Sequence, residues 1–557
     1  MVELRLPDGQ LRQLEEGAVL APLAAEFSAR SASPIVEAIY NGRCYDLNRP
    51  LAAEQELNSV AFTEVNTEDG MRVYVRSLLF MFLAAVKRIT PQVQIEVRNT
   101  LGSALYCCEV GGEKLTEAQL AAVEKEMRRM VQQRLPFEFK RMTKQEALAE
   151  CGTCCSEDSL ALLQELPEEA TLTVNYLDGM PGYFFGSLCP DAGFVQHFEL
   201  LPYDQGVVIN YPDVGSWNVL PPFDDQPLLH RAFEETEEWV KLIHCNTIGK
   251  LNKIISAGYE DKIIQVAEAL HEKKLVAIAD EIARRKDELR LVLIAGPSSS
   301  GKTSTAQRLS IQMAVNGLLP VPVSMDDYYK NRVDTPKKPD GTYDFESIEA
   351  IDLELFNDHL TRLLAGESVK LPKYNFRTGW REFRGREIKL QPNSVLVVEG
   401  IHGLNEMLTA SIPAARKMKI YVSALTPMNL DEHNRINTTD VRLLRRMVRD
   451  SQFRARDAQE TLLQWSDVRY GEEKYIFPYQ NSADVIFNTT LIYELAVLKK
   501  YAVPHLAELT QADGPVYATA QRLLDLLSFV KPIDDKVIPN NSILREFIGG
   551  SVFKEAL

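Results

Sequence analysis

Apolar and polar residues alternate at the start of the chain. In "VELRLPDGQLRQL" the alternation surrounds an Asp-Gly pair, which favours a tight turn, and the stretch therefore predicts a β-hairpin. We expect a small mixed domain over residues 1–62. Beyond it, a helical pattern over 116–135 and a strand pattern over 170–177 predict a second, α+β domain over 63–225.

The pattern changes in the middle of the chain. Residues 211–227 are rich in Pro, Gly and Asp, and the helical pattern that follows predicts a helical linker over 226–290. Short apolar runs typical of buried parallel strands then occur at 291–296, 321–325, 394–400 and 419–425. Strands that alternate with helices predict an α/β domain with a parallel sheet over 291–500. A further helical pattern predicts a C-terminal helical extension over 501–557.

Composition narrows the class of protein. The 557 residues are too many for one core, and 45% of them are apolar, as in ordinary globular proteins. A net charge of −16 disfavours a general nucleic-acid binder, although a local basic patch remains compatible with it. The longest apolar run, at 77–86, is shorter than the roughly 20 residues of a spanning helix. The N-terminus lacks the pattern of a signal peptide, so we expect a cytoplasmic protein without a membrane partner.

Cysteines are confined to the front half, since all 8 precede residue 246. Cys151, Cys154 and Cys155 form a C-x-x-C-C cluster that raises the question of a zinc site. A closed zinc site usually needs a second pair of ligands at matching spacing, and none follows. We therefore favour reduced, structural thiols.

A phosphate-binding loop follows the first apolar run of the α/β domain. "GPSSSGKT" matches the pattern G-x-x-x-x-G-K-[ST] and stands between a predicted strand and a predicted helix, as the motif requires. Backbone N–H groups of such a loop surround phosphates, its lysine contacts the β- and γ-phosphates, and its threonine binds Mg²⁺. The expected nucleotide-binding residues are Gly296, Pro297, Ser298, Ser299, Ser300, Gly301, Lys302, Thr303 and Ser304.

Carboxylates stand at the ends of the next two predicted strands. Asp326 and Asp327 follow the run at 321–325, and Glu399 ends the run at 394–400. The carboxyl ends of parallel strands share one edge of the sheet, where ligands bind. Asp326 is therefore a candidate base for an attacking hydroxyl, and Glu399 is a candidate Mg²⁺ ligand together with Thr303. A helix cap or a turn is the alternative role for either aspartate.

Arginines dominate one face of the predicted helix in "TTDVRLLRRMVRDSQFRARD". Their spacing of i, i+3, i+4 and i+7 places them together, and arginines that close over a phosphate accelerate its transfer. We prefer such a phosphate-clamping lid to an ordinary solvated surface. The expected catalytic residues are Lys302, Asp326 and two of these arginines, Arg445 and Arg449. The expected substrate-binding arginines are Arg442, Arg446 and Arg454.

Several motifs of this half resemble the uridine kinase and phosphoribulokinase family. "GPSSSGKT", "SMDDYYKNR", "LPKYNF", "VLVVEGIHGLN" and "DVRLLRRMVRD" occur in the order seen there. The resemblance implies a P-loop kinase that moves the γ-phosphate of ATP or GTP to a sugar hydroxyl with Mg²⁺. By position it implies that Asp326 is the base and that Tyr329, Glu346 and Tyr374 bind the nucleoside. Gly379 stands where uridine kinases have a histidine that contacts the base.

The front half resembles two other known domains. Residues 1–62 resemble a TGS domain, which is β-grasp-like, and residues 63–225 resemble the editing-type second domain of threonyl-tRNA synthetase. The four positions of its H-x-x-x-H and C-x-x-x-H site hold Ser77, Met81, Phe184 and Leu188. Since Met, Phe and Leu cannot bind zinc or activate water as imidazole and thiolate do, the resemblance implies that editing is lost. The fused arrangement resembles bacterial uridine kinase-like nucleoside kinases.

Three hypotheses for function follow. The first is an ATP- or GTP-dependent kinase of a ribonucleoside, acting at the 5′-hydroxyl. The second is a kinase of a sugar phosphate or another small alcohol, and the basic stretch at 330–340 favours this hypothesis. The third is a regulator that contacts RNA or a tRNA end through the front half and uses nucleotide as a switch. The sequence leaves the oligomeric state open.

Overall fold

The computed structural model describes residues 1–52, 55, 57–111, 114–152, 157–338, 341–384 and 386–553. Cys154 and Cys155 lie outside the described residues, whereas Cys151 is buried in a small apolar core. The predicted role of the cysteine cluster therefore stays a prediction. Within the described ranges, no helix combines the length and the apolar character needed to cross a membrane.

The predicted hairpin opens the chain and belongs to a five-stranded sheet. Val2 pairs with Leu14 across the turn, and the alternate residues Val2 and Leu4 are buried because one face of the sheet packs on a helix. The strand order is β2-β1-β5-β3-β4. The elements are β1 (Val2–Arg5), β2 (Leu11–Leu14), α1 (Ala21–Ser28), β3 (Ile35–Tyr40), β4 (Arg43–Tyr45) and β5 (Asn58–Glu64).

A long buried helix organises the second region of the front half. It begins where Thr67 accepts a hydrogen bond from the N–H of Gly70, which satisfies one of the free donors at a helix start. Two antiparallel sheets accompany it, with orders β10-β9-β8 and β11-β12-β7-β6. The elements are α2 (Glu68–Ile89), β6 (Gln94–Thr100), β7 (Ala104–Val110), α3 (Glu117–Gln132), β8 (Phe137–Thr143), α4 (Lys144–Cys151), α5 (Glu157–Gln164), β9 (Thr171–Leu177), β10 (Met180–Gly182), β11 (Glu199–Tyr203) and β12 (Gly206–Asn210).

The segment expected to be a helical linker is helical but is not a free connection. It contains α6 (Pro227–Leu242), α7 (Ile248–Ser256) and α8 (Glu260–Arg284). Ile264 and Leu275 of α8 are buried in the same apolar core as residues of the parallel sheet described next. These helices are therefore part of the packed C-terminal half, because their apolar faces need a partner.

A parallel five-stranded sheet forms the centre of the C-terminal half. Its order is β14-β19-β13-β20-β21, and every neighbouring pair is parallel. The central strand β13 is buried along its whole length, as expected for a sheet with helices on both faces. The elements are β13 (Leu291–Ala295), α9 (Lys302–Val315), β14 (Leu319–Ser324), α10 (Leu353–Leu364), β15 (Ser368–Lys370), β16 (Lys373–Asn375), β17 (Trp380–Glu382), β18 (Glu387–Lys389), β19 (Ser394–Glu399), β20 (Lys417–Ser423), α11 (Thr438–Phe453), α12 (Ala458–Leu463), α13 (Trp465–Tyr475) and β21 (Val485–Asn488).

The last helices pack onto the same core and connect the two halves. They are α14 (Glu494–Ala507), α15 (Pro515–Ser528) and α16 (Arg545–Ile548). Asp440 of α11 accepts hydrogen bonds from Arg522 of α15 at 2.7 and 3.0 Å and from Arg72 of α2 at 3.1 and 3.2 Å. One buried carboxylate therefore holds three helices from distant parts of the chain together.

Candidate functional site

The phosphate-binding loop connects β13 to α9 in a conformation that depends on its glycines. Gly301 has φ 85°, and a Cβ atom on Gly296 would lie 1.9 Å from the carbonyl oxygen of Val422. Only glycine adopts the first conformation without strain and tolerates the second approach. Ser299 also has a positive φ, of 58°. With these conformations the loop leads directly into the N-terminus of α9, and a helix N-terminus favours bound anions.

Lys302 is the first residue of α9 and closes the loop. Its Nζ donates hydrogen bonds to the carbonyl oxygens of Gly296 and Pro297, at 2.9 and 3.0 Å. Burial lowers the pKa of the ammonium group, and the nearby carboxylates of Glu399 and Asp326 oppose that shift. Both of these acceptors are neutral carbonyl groups of the loop, so the ammonium group can turn from them toward a phosphate.

Thr303 and Glu399 meet where β19 ends beside the loop. The Thr303 hydroxyl donates a hydrogen bond to the Glu399 carboxylate at 3.0 Å. The parallel register pairs Glu399 with Ile294 on one side and Ser324 on the other, which fixes the carboxylate between β13 and β14. Burial raises the pKa of Glu399 to about 7, although Lys302 opposes the shift. This pair of oxygen ligands suits Mg²⁺, which prefers hard oxygen donors.

The two adjacent aspartates after β14 have different surroundings. Asp327 accepts a hydrogen bond from the N–H of Tyr374 at 3.2 Å and lies 3.6 Å from the ammonium group of Lys373, so it fixes the neighbouring hairpin. Loss of solvation raises the pKa of Asp326, and the charge of Lys302 opposes this shift. Of the two aspartates, Asp326 is therefore the one whose pKa the charge of Lys302 lowers, at the edge where the sequence predicts a base.

An aromatic cluster lies beside Asp326. The ring centres of Tyr329 and Tyr374 are 5.6 Å apart, and Phe376 lies 5.0 Å from Tyr374. Phe376 is 61% exposed, although it belongs to this cluster. Sequence reasoning missed it. An exposed ring next to two others forms a surface on which a flat apolar group can stack.

Glu346 lies close to the same edge. Burial, together with the nearby Glu472 carboxylate, raises the pKa of Glu346 to about 7, although Arg446 opposes the shift. Gly471 of α13 permits this position, since a Cβ atom there would lie 2.6 Å from the Cβ of Glu346. The structure thus brings Glu346 into the electrostatic field of Asp326 and Lys302.

Gly379 ends the tight turn between β16 and β17. It has φ 76°, and a Cβ atom would lie 2.9 Å from the side chain of Arg332. The N–H of Arg332 donates to the Gly379 carbonyl at 2.8 Å. A histidine at this place would be strained and would displace Arg332, so the departure from the uridine kinase motif also changes the local backbone.

The arginine face of α11 differs from the predicted lid. Arg442 and Arg445 are 1% and 0% exposed, because α11 is a core helix and not a mobile surface element. Arg445 pairs with Glu494 at 2.6 Å and donates to the Thr489 carbonyl at 2.9 Å. Its side chain is thus committed to the interior, and the expected catalytic contact with a transferring phosphate does not agree with its position.

The other arginines of this face support the loop or lie beyond it. Arg442 donates to the Ser298 carbonyl at 3.0 Å, and Arg446 donates to the Ser298 hydroxyl at 2.7 Å. Arg449 contacts Asp450 at 2.8 Å, and the side chain of Arg454 is 52% exposed. Arg442 and Arg446 therefore hold the loop at Ser298, while Arg454 is half-exposed.

Sequence reasoning missed Glu472, the buried carboxylate that organises this support. It is 1% exposed, accepts a hydrogen bond from the N–H of Ser298 at 3.0 Å and forms an ion pair with Arg442. Arg469 contacts its other oxygen at 3.2 Å. The stretch "GEEKY" carries no motif that distinguishes Glu472 from its neighbour.

Four positions of the front half correspond to the site of the editing-type domain that this region resembles, and they lie in an apolar core. The Ser77 hydroxyl donates to the Val73 carbonyl at 2.8 Å and accepts from the N–H of Cys189 at 2.8 Å. The ring centres of Phe80 and Phe184 are 4.8 Å apart. The buried positions are Ser77, Met81, Phe184 and Leu188.

Comparison with known proteins agrees with this geometry. The model of the phosphoribulokinase/uridine kinase family matches residues 291–494. The uridine kinase of Chloroflexus aurantiacus is 30% identical over 198 residues, which cover 35% of this chain and 85% of that enzyme. This chain belongs to the phosphoribulokinase/uridine kinase family. Its C-terminal half is thus a P-loop kinase unit of that family.

The front half has other relatives. The threonine–tRNA ligase of Syntrophomonas wolfei is 28% identical over 201 residues, and such relatives match the N-terminal half of the chain. The match covers 36% of this chain and 31% of that ligase, so the chain spans about a third of the ligase's length. Among solved structures, the D-glycerate 3-kinase of Cryptococcus neoformans is 15% identical, covering 51% of this chain and 90% of that one, at a TM-score of 0.21. That value is too low to support a conclusion.

Proposed function

We propose that this member of the phosphoribulokinase/uridine kinase family transfers the γ-phosphate of ATP or GTP to the 5′-hydroxyl of a ribonucleoside. The observation that carries the proposal is the meeting of Lys302, Asp326 and Glu399 at one edge of the parallel sheet. The loop, the base candidate and the metal-ligand candidate then lie at the same edge of the sheet, and an in-line transfer needs these three parts together.

The donor nucleotide would lie on the loop from Gly296 to Ser304, with Lys302 turned to the β- and γ-phosphates. Thr303 and Glu399 would hold Mg²⁺, because their oxygens already contact each other and Mg²⁺ takes oxygen ligands. Bound Mg²⁺ neutralises charge on the phosphates. Arg446, whose guanidinium contacts the loop at Ser298, and the half-exposed Arg454 would bind phosphate beside the loop.

The acceptor would lie between Asp326 and the aromatic cluster. Asp326 would accept the proton of the 5′-hydroxyl while the hydroxyl oxygen attacks the γ-phosphorus. The bond between the γ-phosphorus and the leaving nucleoside diphosphate would break in the same step. Tyr329, Tyr374 and Phe376 would stack on the base. Glu346 would accept hydrogen bonds from the 2′- and 3′-hydroxyls. With Gly379 in the place of the histidine, we expect a base preference that differs from that of uridine kinases.

The basic stretch at 330–340 gives little support to the sugar-phosphate alternative. Lys338 forms an ion pair with Asp467 at 2.7 Å, and Lys337 lies 5.4 Å from the ring centre of Tyr343. Both lysines therefore have neighbours on this surface that moderate their charge. Contact with RNA or a tRNA end through the front half stays a proposal that rests on the likeness to threonine–tRNA ligases.

The test is a screen of the full chain with ATP and GTP against ribonucleosides, their 2′-deoxy counterparts and sugar phosphates. Mass spectrometry of the products identifies the phosphorylated atom. We expect a ribonucleoside 5′-monophosphate, formed roughly 5- to 150-fold more efficiently than its deoxy counterpart, because a lost hydroxyl leaves Glu346 unpaired. Phosphorylation of a sugar phosphate alone, or turnover that requires RNA, would replace the proposal with the corresponding alternative.

A further inference from the structure

A cluster of three potential ligands lies where the turn between β11 and β12 meets α6, on residues other than those of the phosphate loop. Asp204, His230 and Glu234 each offer one ligand atom, and these atoms all lie within 4.8 Å of one another. Asp204 is in the turn between β11 and β12, with φ 48°. His230 and Glu234 are four residues apart on α6, so they share one helix face.

His230 is the unusual member of the cluster. It is 7% exposed, and neither ring nitrogen has a hydrogen-bond partner among the described residues. Tyr106 and Tyr203 pack edge-on against the imidazole, with ring centres 4.9 and 5.1 Å away, and so fix its orientation. A buried imidazole without a partner loses its hydration for no gain unless something else satisfies it.

The two distances from His230 are close to those expected around a tetrahedral cation. Nε2 of His230 lies 3.5 Å from the Asp204 carboxylate and 3.8 Å from the Glu234 carboxylate, in neither case with hydrogen-bond geometry. Ligand atoms held about 2.0–2.2 Å from zinc lie roughly 3.3–3.6 Å apart in a tetrahedron. We propose that Asp204, His230 and Glu234 bind Zn²⁺ or a similar divalent transition-metal ion. The bound ion joins the β11–β12 turn to α6, and water takes the fourth position because both carboxylates are half-exposed.

The experiment uses the full chain after dialysis against a chelator, with Zn²⁺ added in calorimetric titration and Co²⁺ as the spectroscopic probe. Co²⁺ bound by imidazole and carboxylates lacks the near-ultraviolet thiolate band that a cysteine site gives. We expect one equivalent of such binding, lost in His230→Gln and weakened at least roughly tenfold in Asp204→Asn. His244→Gln, an exposed histidine just beyond α6, is the control and should bind like the wild type. Absence of this equivalent in the wild type, or its survival in His230→Gln, overturns the proposal.

A second, independent observation concerns the C-terminal segment. Glu546 of α16 accepts hydrogen bonds from the N–H of Ser304 at 3.1 Å and from its hydroxyl at 2.7 Å. These donors belong to the first turn of α9, where a phosphate is expected to bind. A carboxylate and a phosphate cannot both occupy them, because the two anions would repel each other.

The segment around Glu546 is firmly packed. Ile543 approaches Gly301 so closely that a Cβ atom there would lie 3.0 Å from its side chain, and Phe547 lies under Arg445. Glu546 itself is only half-buried, so its side chain can turn away while the segment stays in place. We infer that Glu546 competes with phosphate for the hydrogen-bond donors of Ser304, so that its side chain must turn away when a nucleotide binds. This inference rests on the proposed nucleotide site.

Calorimetric titration of the full chain with MgATP tests this inference. Glu546→Gln keeps the shape of the side chain and removes its charge. We expect MgATP to bind to this variant at least roughly tenfold more tightly than to the wild type, because binding no longer breaks hydrogen bonds to a charged carboxylate. Asp534→Asn removes a charge from the same segment at a position paired with Lys500, and should leave MgATP binding unchanged. Binding to Glu546→Gln that is equal to or weaker than wild-type binding overturns the inference, whereas a wild type without MgATP binding overturns the nucleotide site itself.

Discussion

Glu472 offers a sharp test of how α13 supports the phosphate-binding loop. Its buried carboxylate accepts the N–H of Ser298 and pairs with two guanidinium groups, those of Arg442 and Arg469. Glu472→Gln keeps the shape of the side chain but removes its charge. Arg442, which is 1% exposed, then loses the carboxylate that compensates its burial.

The expected cost follows from that burial. Removing one partner of a buried ion pair costs about 3–5 kcal/mol, because the remaining charge stays buried. At about 1.4 kcal/mol per factor of ten, the unfolding equilibrium shifts by roughly two to three and a half orders of magnitude. The neighbouring Glu473 is a matched control. Its side chain is 52% exposed and contacts Arg469 at 2.7 Å, so Glu473→Gln should cost only about 0–1 kcal/mol.

Urea unfolding, combined with hydrogen-exchange mass spectrometry of peptides that contain residues 296–301, measures the difference. We expect Glu472→Gln to lower the free energy of unfolding and to increase exchange in the loop, while Glu473→Gln resembles the wild type. If the two variants lower the free energy of unfolding by the same amount, to within about 1 kcal/mol, then Glu472 does not stabilise the fold through its buried pair with Arg442.

Three further predictions concern other parts of the molecule. Burial alone would raise the pKa of Asp440, but Arg522 and Arg72 outweigh it and hold the pKa well below its usual value. The stabilisation by Asp440 is therefore complete above its unfolded pKa of about 3.9 and is lost as the pH falls through the folded pKa. The difference in thermal stability between the wild type and Asp440→Asn should thus be large at pH 7 and should shrink below about pH 4. Since burial raises the pKa of Glu399 to about 7, protons should compete with Mg²⁺, and the Mg²⁺ concentration for half-maximal activity should rise up to about tenfold per pH unit below pH 7 in the wild type but not in Glu399→Gln. Gly379 and Gly366 both have positive φ, but only a Cβ atom on Gly379 meets a neighbour, Arg332, so Gly379→Ala should lower the melting temperature more than Gly366→Ala, and equal losses would contradict the close contact.

Local patterns were sufficient to predict the main elements of the fold. The alternation around the first turn predicted the hairpin of β1 and β2, and the apolar runs predicted β13, β14, β19 and β20. The loop motif and the strand-end carboxylates were also predictable, because parallel strands place their carboxyl ends at one edge. Here the sequence neighbours of a residue determine its place.

Contacts between distant segments were not predictable in this way. The spacing of the arginines in α11 places them on one face, but it does not say which neighbour that face meets. Arg445 meets Glu494, which lies beyond β21, and the Ser304 hydroxyl meets Glu546 near the end of the chain. The packing of α8 on the parallel sheet was missed for the same reason, since an apolar helix face does not identify its partner. Such partners depend on the whole fold.

The proposed phosphate transfer depends on Asp326 as the proton acceptor, and a comparison of wild type with Asp326→Asn tests this role directly. The substitution keeps the shape at the end of β14 but removes the base. Both proteins are assayed for nucleoside 5′-monophosphate formation and, by titration, for MgATP affinity. We predict that phosphorylation falls by roughly 10²–10⁴-fold while the MgATP dissociation constant changes by no more than about twofold. Phosphorylation by Asp326→Asn within about tenfold of the wild type would contradict it.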